Sequence, residues 1–203
     1  MSEFTIGFAN QDENNPFAVA VRQALEAEVA QHPDLRLIVR DNDLDTEKAI
    51  ANAHEFAEIP VDLAIIFHVD ERAGMEITAP LRLKRIPIIA IDIPMPLTSF
   101  FGINNREAGQ VAGAALAEWI AVAWGARIDR VLIVTESRTL DVVRQRLDSA
   151  LETLRSRVPF LSDQVLPIDG GGTPELTRAR VRLTLENWRS EERRVGKECR
   201  SRW

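Results

Sequence analysis

Asp41, Asp43 and Asp45 alternate as at the opening of a calcium loop, but the sixth position is Thr46 and the twelfth is Asn52. A calcium loop needs glycine and glutamate there, so no linear calcium loop is expected. His32, His54 and His68 lack the close spacing of metal ligands, and neither a metal nor a cofactor is expected. Ser137 has no Gly-x-Ser-x-Gly setting, and Cys199 is the single cysteine. Gly170-Gly171-Gly172 precedes a helix start at Thr173-Pro174-Glu175 but lacks the lysine of a phosphate loop, so it reads as a strand-to-helix turn. No triad and no acid/base pair assembles, and an enzyme is not expected. What remains is hydrogen-bonding chemistry. The Asn15 amide offers two donors and an acceptor, which suits a pair of hydroxyls. The Asp92 carboxylate, when ionised, accepts strong hydrogen bonds from neighbouring hydroxyls.

The elements that must hold these residues alternate between strand and helix. Phe4–Ala9 is an apolar run and a buried strand. Asn15 is a good N-cap and Pro16 a good first helical residue for a helix over 16–31, with Phe17, Val21, Leu25 and Val29 on one stripe. A strand over 35–40 follows, then a helix capped by Thr46 with Ala49, Ile50, Ala53, Phe56 and Ala57 turned inward. Leu63–Phe67 is a third strand, 74–85 a short helix containing Pro80, and Ile86–Ile91 a fourth strand ending at Asp92. From Ile93 to Gly102 the chain reads as irregular. Beyond it lie a helix over 105–124 stopped by Gly125, a strand at 131–134, a helix over 140–157, a strand at 165–168 and a helix over 174–188. Such alternation predicts an α/β protein with parallel sheets covered on both faces.

The chain has 203 residues, a formal charge of −6 and 28% charged residues. A membrane span needs roughly 18 consecutive apolar residues, and no run approaches that. The acidic balance argues against a nucleic-acid partner. No basic stretch with an apolar core precedes Phe4, so no export signal is read at the amino end. The last fifteen residues, Arg189 to Trp203, resemble a translated sequencing adapter and are set aside as non-native, with the natural protein expected to be longer. They carry six basic and three acidic residues, so the chain before them is more acidic than the total suggests.

The opening Ile6-Gly7-Phe8-Ala9-Asn10, followed by Asn14-Asn15-Pro16-Phe17, resembles type I periplasmic sugar-binding proteins of the ribose-binding group and the effector domains of lac-repressor-like regulators. Three more segments agree in order. Ile86-Pro87-Ile88-Ile89-Ala90-Ile91-Asp92 is similar to a family strand, and Gly102-Ile103-Asn104-Asn105 with Ala108-Gly109 and Ala112-Gly113 to a hinge crossing and its helix. Arg144-Gln145-Arg146 resembles an Arg-x-Arg pair in the second lobe. The resemblance implies three-layer, doubly wound parallel sheets in two lobes: a nearly complete first lobe over 1–103 and a truncated second lobe over 104–188, with 189–203 as the appended tail. The incomplete second lobe is expected to expose apolar sheet edges.

The resemblance also implies a role: binding a monosaccharide or a derivative between hinged lobes, as the capture subunit of an ABC sugar importer. An ABC permease would then be the partner and the periplasm the location. A sugar-sensing effector domain or cytosolic sensor in the cytoplasm is the alternative. Its implied ligand residues are Asn15, Phe17, Asp92 and Arg146. Each has a plainer reading: Asn15 as helix cap, Phe17 as head of the apolar stripe, Asp92 as a turn cap, Arg146 on a solvated face. The family's second aromatic is replaced by Ala18, its polar residue after the third strand corresponds to Phe67 followed by His68, and its arginine after the strand-end acid corresponds to Ile93. Phe67 and His68 join the candidate set on position alone, His68 as a replacement donor or a structural histidine. These departures point away from ribose itself.

Overall fold

The computed structural model describes residues 3–135, 141–160, 162–171 and 173–200. Ser137 and Gly172 lie outside the described residues. Contacts divide the chain between Asn104 and Asn105 into two compact units.

The first unit is a five-stranded, all-parallel sheet in the order β2-β1-β3-β4-β5. Its strands are β1 (Phe4–Asn10), β2 (Leu35–Asp41), β3 (Leu63–Phe67), β4 (Ile88–Ile91) and β5 (Ser99–Phe101). Its helices are α1 (Pro16–Val29), α2 (Thr46–Glu58) and α3 (Gly74–Leu83). Side chains alternate across a strand, so each strand feeds two cores. Ile6, Phe8, Ile65 and Phe67 pack with Ala18 and Val29 of α1. Ala9, Ala64, Ile66 and Ala90 pack on the other face with Ala53 and Phe56 of α2 and Ile77 and Leu81 of α3. The first unit is therefore helix, sheet, helix in three layers, as the strand–helix alternation predicts.

Four details differ from the sequence reading. The residues after β4 include a strand, β5, read beforehand as irregular. It has only three residues, all exposed, and pairs on one side only, so neither length nor burial marks it. The N-cap of α2 is Asp45, not Thr46: the Asp45 side chain accepts from Lys48 N at 2.8 Å. The Thr46 hydroxyl instead donates to Asp70 Oδ2 at 3.0 Å. Helix α3 ends at Leu83 and β4 begins at Ile88, which lengthens the turn around Arg85, itself at φ 60°.

The second unit holds α4 (Asn105–Trp124), β6 (Val131–Thr135), α5 (Asp141–Arg157), β7 (Val165–Asp169) and α6 (Pro174–Arg200). Strands β6 and β7 form a parallel pair. Gly109, Gly113 and Ala117 recur every fourth residue on the buried face of α4, where small residues let α5 approach closely. A Cβ on Gly109 would collide with the Arg146 carbonyl oxygen and Ser149 Oγ, and one on Gly113 with the Ala150 carbonyl. Ile120, Leu154, Val158 and Phe160 close this core. Gly125 follows α4 at φ 60°, a left-handed residue that ends the helix. Helix α6 runs past Trp188 to Arg200 because the Arg/Glu-rich residues that follow are good helix formers. Among the described residues no helix is long and apolar enough to cross a membrane.

Candidate functional site

In open α/β sheets the carboxyl ends of the strands, with the loops that follow them, are where ligands bind. In the first unit these ends carry Asn15 and Phe17 after β1, His68 after β3 and Asp92 after β4.

Asn15 is extended (φ −86°, ψ 118°) and its Oδ1 accepts from the backbone N–H of Phe17 at 2.9 Å and of Ala18 at 3.4 Å. Capping thus uses the oxygen only. The two amide hydrogens of the half-buried side chain remain as donors.

Pro16 and the cap fix the first turn of α1 and place Phe17 at its edge. Its ring is 59% exposed and stands edge-on to Phe67, with centroids 6.0 Å apart and planes at 90°. Phe17 thus leads the apolar stripe without entering the core. Ala18, where the family's second aromatic would stand, is fully buried.

Phe67 and His68 are both 0% exposed. Phe67 lies in the α1-side core and supports the Phe17 ring from beneath, offering no surface of its own. His68 Nε2 lies 3.4 Å from Thr46 Oγ1, whose hydroxyl donates to Asp70 Oδ2 at 3.0 Å. With its proton given to Asp70, the Thr46 oxygen accepts from His68, which places the histidine proton on Nε2. His68 Nδ1 has no hydrogen-bond partner among the described residues. Burial pushes the His68 pKa down, partly opposed by Asp70 and Asp45. The ring is held neutral, as part of the strand-end structure.

Asp92 sits at φ 63°, a left-handed conformation uncommon for a residue with a side chain. Its backbone N–H donates to the Phe101 carbonyl at 3.0 Å, tying the end of β4 to β5. No protein group among the described residues hydrogen-bonds its half-buried carboxylate. Phe67 pairs with Ile91 in the β3–β4 register, so His68 and Asp92 stand one residue past the paired ends of neighbouring strands.

Arg146 lies in the second unit, on the exposed side of α5. Its Nε donates to Oδ1 of the buried Asn105 at 2.9 Å. That bond orients the guanidinium from the first residue of α4. Arg144 instead approaches Asp141 of its own helix at 4.0 Å.

The burial of the polar residues at the end of β1 and just past it is not readable from the sequence. Asn10, Gln11 and Asp12 are all buried. By residue type, Asn10–Asn15 reads as a polar turn. Backbone bonds from Asn42 N to the Asn10 carbonyl and from Leu44 N to the Gln11 carbonyl draw this segment under the β2–α2 connection.

A family profile described as a periplasmic binding protein domain matches residues 6–189. The chain belongs to the periplasmic binding protein family. The ribose import binding protein of Bacillus subtilis (strain 168) is 25% identical over 119 residues, which is 57% of this chain and 39% of that protein. The Caulobacter myo-inositol binding protein bound to myo-inositol superposes with a TM-score of 0.74 at 20% identity, over 93% of this chain and 63% of that one. The fructose-binding periplasmic domain of the hybrid two-component system BT1754 gives 0.64 at 20% identity, over 82% and 53%. The chain thus spans 39% to 63% of the length of these relatives. The fold is the type I periplasmic binding protein fold.

Proposed function

We propose that this chain is part of the substrate-binding protein of an ABC sugar importer and that its ligand is a monosaccharide or a cyclic polyol. The observation that carries this reading is the exposed Phe17 ring, braced by Phe67 and next to the Asn15 amide. An aromatic face covers the C–H face of a sugar ring while amide and carboxylate groups take its hydroxyls. Asn15 supplies amide donors, and Asp92 supplies a carboxylate with unused acceptor capacity. Arg146 is the ligand-binding residue proposed in the second unit, where its terminal nitrogens would donate to hydroxyl oxygens. The relatives named for ribose, myo-inositol and fructose support a polyhydroxylated ligand. The loss of polar groups at Phe67 and Ile93 argues against ribose. An importer subunit would work in the periplasm beside a permease.

The hybrid two-component relative favours a second reading, in which the same binding chemistry serves a sensor. Upstream coding sequence separates the two: an export signal beside transporter genes supports the importer, and fusion to a signalling domain supports the sensor.

The test is calorimetric titration of the chain with a panel of pentoses, hexoses and inositols. One or more should bind, and Asp92→Asn should weaken that ligand at least ~10-fold, since a hydrogen bond to a charged group contributes about 1.5–3 kcal/mol. Absence of binding by every sugar and polyol at millimolar concentration overturns the proposal.

A further inference from the structure

We propose that the ends of β1 and β2 form a binding site for a hard divalent cation of the calcium class, made by Asp12, Asp41, Asp43 and the side-chain carbonyl of Asn10. This site is separate from the sugar-binding residues and does not depend on that reading.

Carboxylate oxygens of Asp12, Asp41 and Asp43 all lie within 4.8 Å of one another. One ion about 2.4 Å from each oxygen can bridge such a group. Asp12 is only 6% exposed, and its hydrogen bonds come from the backbone N–H of Asn14 at 3.0 Å and its side-chain amide at 3.1 Å. No ion pair is recorded for Asp12 or Asp41 among the described residues. Lys48 lies 3.6 Å from Asp43 at its exposed side, and the nearby Arg22 is held by Glu13, which accepts from the Asn10 amide. Three carboxylates gathered around a buried member, with one ammonium paired to the exposed Asp43, leave negative charge that a cation would compensate.

Asn10 supplies the independent observation. It is 0% exposed. Its amide nitrogen is used, with Glu13 Oε1 at 2.8 Å and the Asp12 carbonyl at 3.4 Å, but its Oδ1 has no partner among the described residues. Asn10 and Asp41 are register partners in the β1–β2 pair. Ile6 and Phe8 of β1 and Leu37 and Val39 of β2 pack in one core, so alternation turns Asn10 and Asp41 to that same face. The Asn10 side chain, which carries the orphan carbonyl, therefore stands beside that of Asp41, with its amide nitrogen already bonded to the Asp12–Glu13 segment. A buried amide oxygen without a donor is an ordinary calcium ligand.

The donor set is all oxygen, with no imidazole or thiolate, which selects calcium or magnesium over zinc or copper. Calcium tolerates irregular spacing and completes its shell with water, whereas magnesium demands short octahedral geometry. The site is not a linear calcium loop, in keeping with the sequence. Asp45 caps α2, and Asp12 comes from a different strand end.

The test uses the full chain after chelator treatment, titrated with calcium chloride at fixed ionic strength and followed by calorimetry and thermal melting. Expected is one saturable site with a raised melting temperature, and magnesium at least ~10-fold weaker. Asp41→Asn and, separately, the exposed Asp43→Asn should each weaken calcium at least ~10-fold. Both should leave the calcium-free melting temperature unchanged or higher, because like charges are relieved. Glu71→Gln, an exposed acid elsewhere, should respond as the parent does. No heat and no thermal shift up to about 5 mM calcium, beyond the weakest protein calcium sites, overturns the proposal. So does an undiminished response in both aspartate variants.

Discussion

The ring of Phe17 rests edge-on against the ring of Phe67, one exposed and the other wholly buried. On the proposed function the pair divides its labour between binding and folding. Phe67→Ala should destabilise the chain by about 3–5 kcal/mol, as for other buried aromatics. Phe17→Ala should shift stability by no more than about 1 kcal/mol and weaken the bound sugar instead. Urea denaturation and calorimetric titration on the two variants read both effects, and equal stability losses would contradict the division.

Asn15 and Asp45 are both N-caps, so they can be used to separate capping from binding. Asp45→Ala should lower stability by about 1 kcal/mol and leave sugar affinity unchanged. Asn15→Ala should lower both. Asn15→Ser keeps a capping oxygen but loses the amide donors, so it should recover stability without recovering affinity. Recovery of affinity by serine would mean that Asn15 acts through the helix alone.

Gly109 and Gly125 predict opposite physics for one substitution. At Gly109 an added methyl meets the α5 backbone, so Gly109→Ala should cost several kcal/mol, about 2–4, through forced separation of α4 and α5. At Gly125 nothing lies within 4 Å, and only the φ of 60° resists. Gly125→Ala should cost about 1–2 kcal/mol. Chemical denaturation followed by tryptophan fluorescence suits both, because Trp119 and Trp124 lie on α4.

His68 makes folding stability sensitive to acid. Burial, the main cause, pushes its folded pKa below the ordinary histidine value of about 6.5. The unfolded chain therefore binds a proton at a higher pH than the folded chain does. The histidine's contribution is fully present above about pH 6.5 and is lost as pH falls through that value towards the lower folded one. Urea midpoints measured from pH 8 to pH 5 should fall more steeply for the parent than for His68→Gln. Parallel profiles would show that the imidazole is not the titrating group.

Most of the fold is legible from local pattern. The apolar runs of β1, β3 and β4 are buried strands, Asn15-Pro16 starts α1, and the Ala-rich stretch ending at Gly125 is α4 with the bounds read from sequence. β5 was not legible, because three exposed residues carry no periodicity and are held by pairing with β4. Asp45 and Thr46 are both competent caps by type, and only backbone geometry decides between them. The same limit applies to the candidate site. Residue type marks Asn15 and Asp92 as hydrogen-bonding groups, but the burial of Phe67, His68 and Asn10 comes from neighbours distant in sequence.

The left-handed backbone at Asp92 also has a consequence for how such a protein can evolve. Only glycine, asparagine and aspartate adopt that conformation cheaply. The alphabet that selection can use cheaply at the end of β4 is therefore short: a charged acceptor, a neutral amide, or no side chain. Longer acids, hydroxyls and cations carry a backbone cost of about 1–2 kcal/mol there before any ligand is considered, a cost this chain bears at Arg85. A carboxylate-to-amide exchange at this position is reachable by one nucleotide change and leaves that backbone cost nearly unchanged.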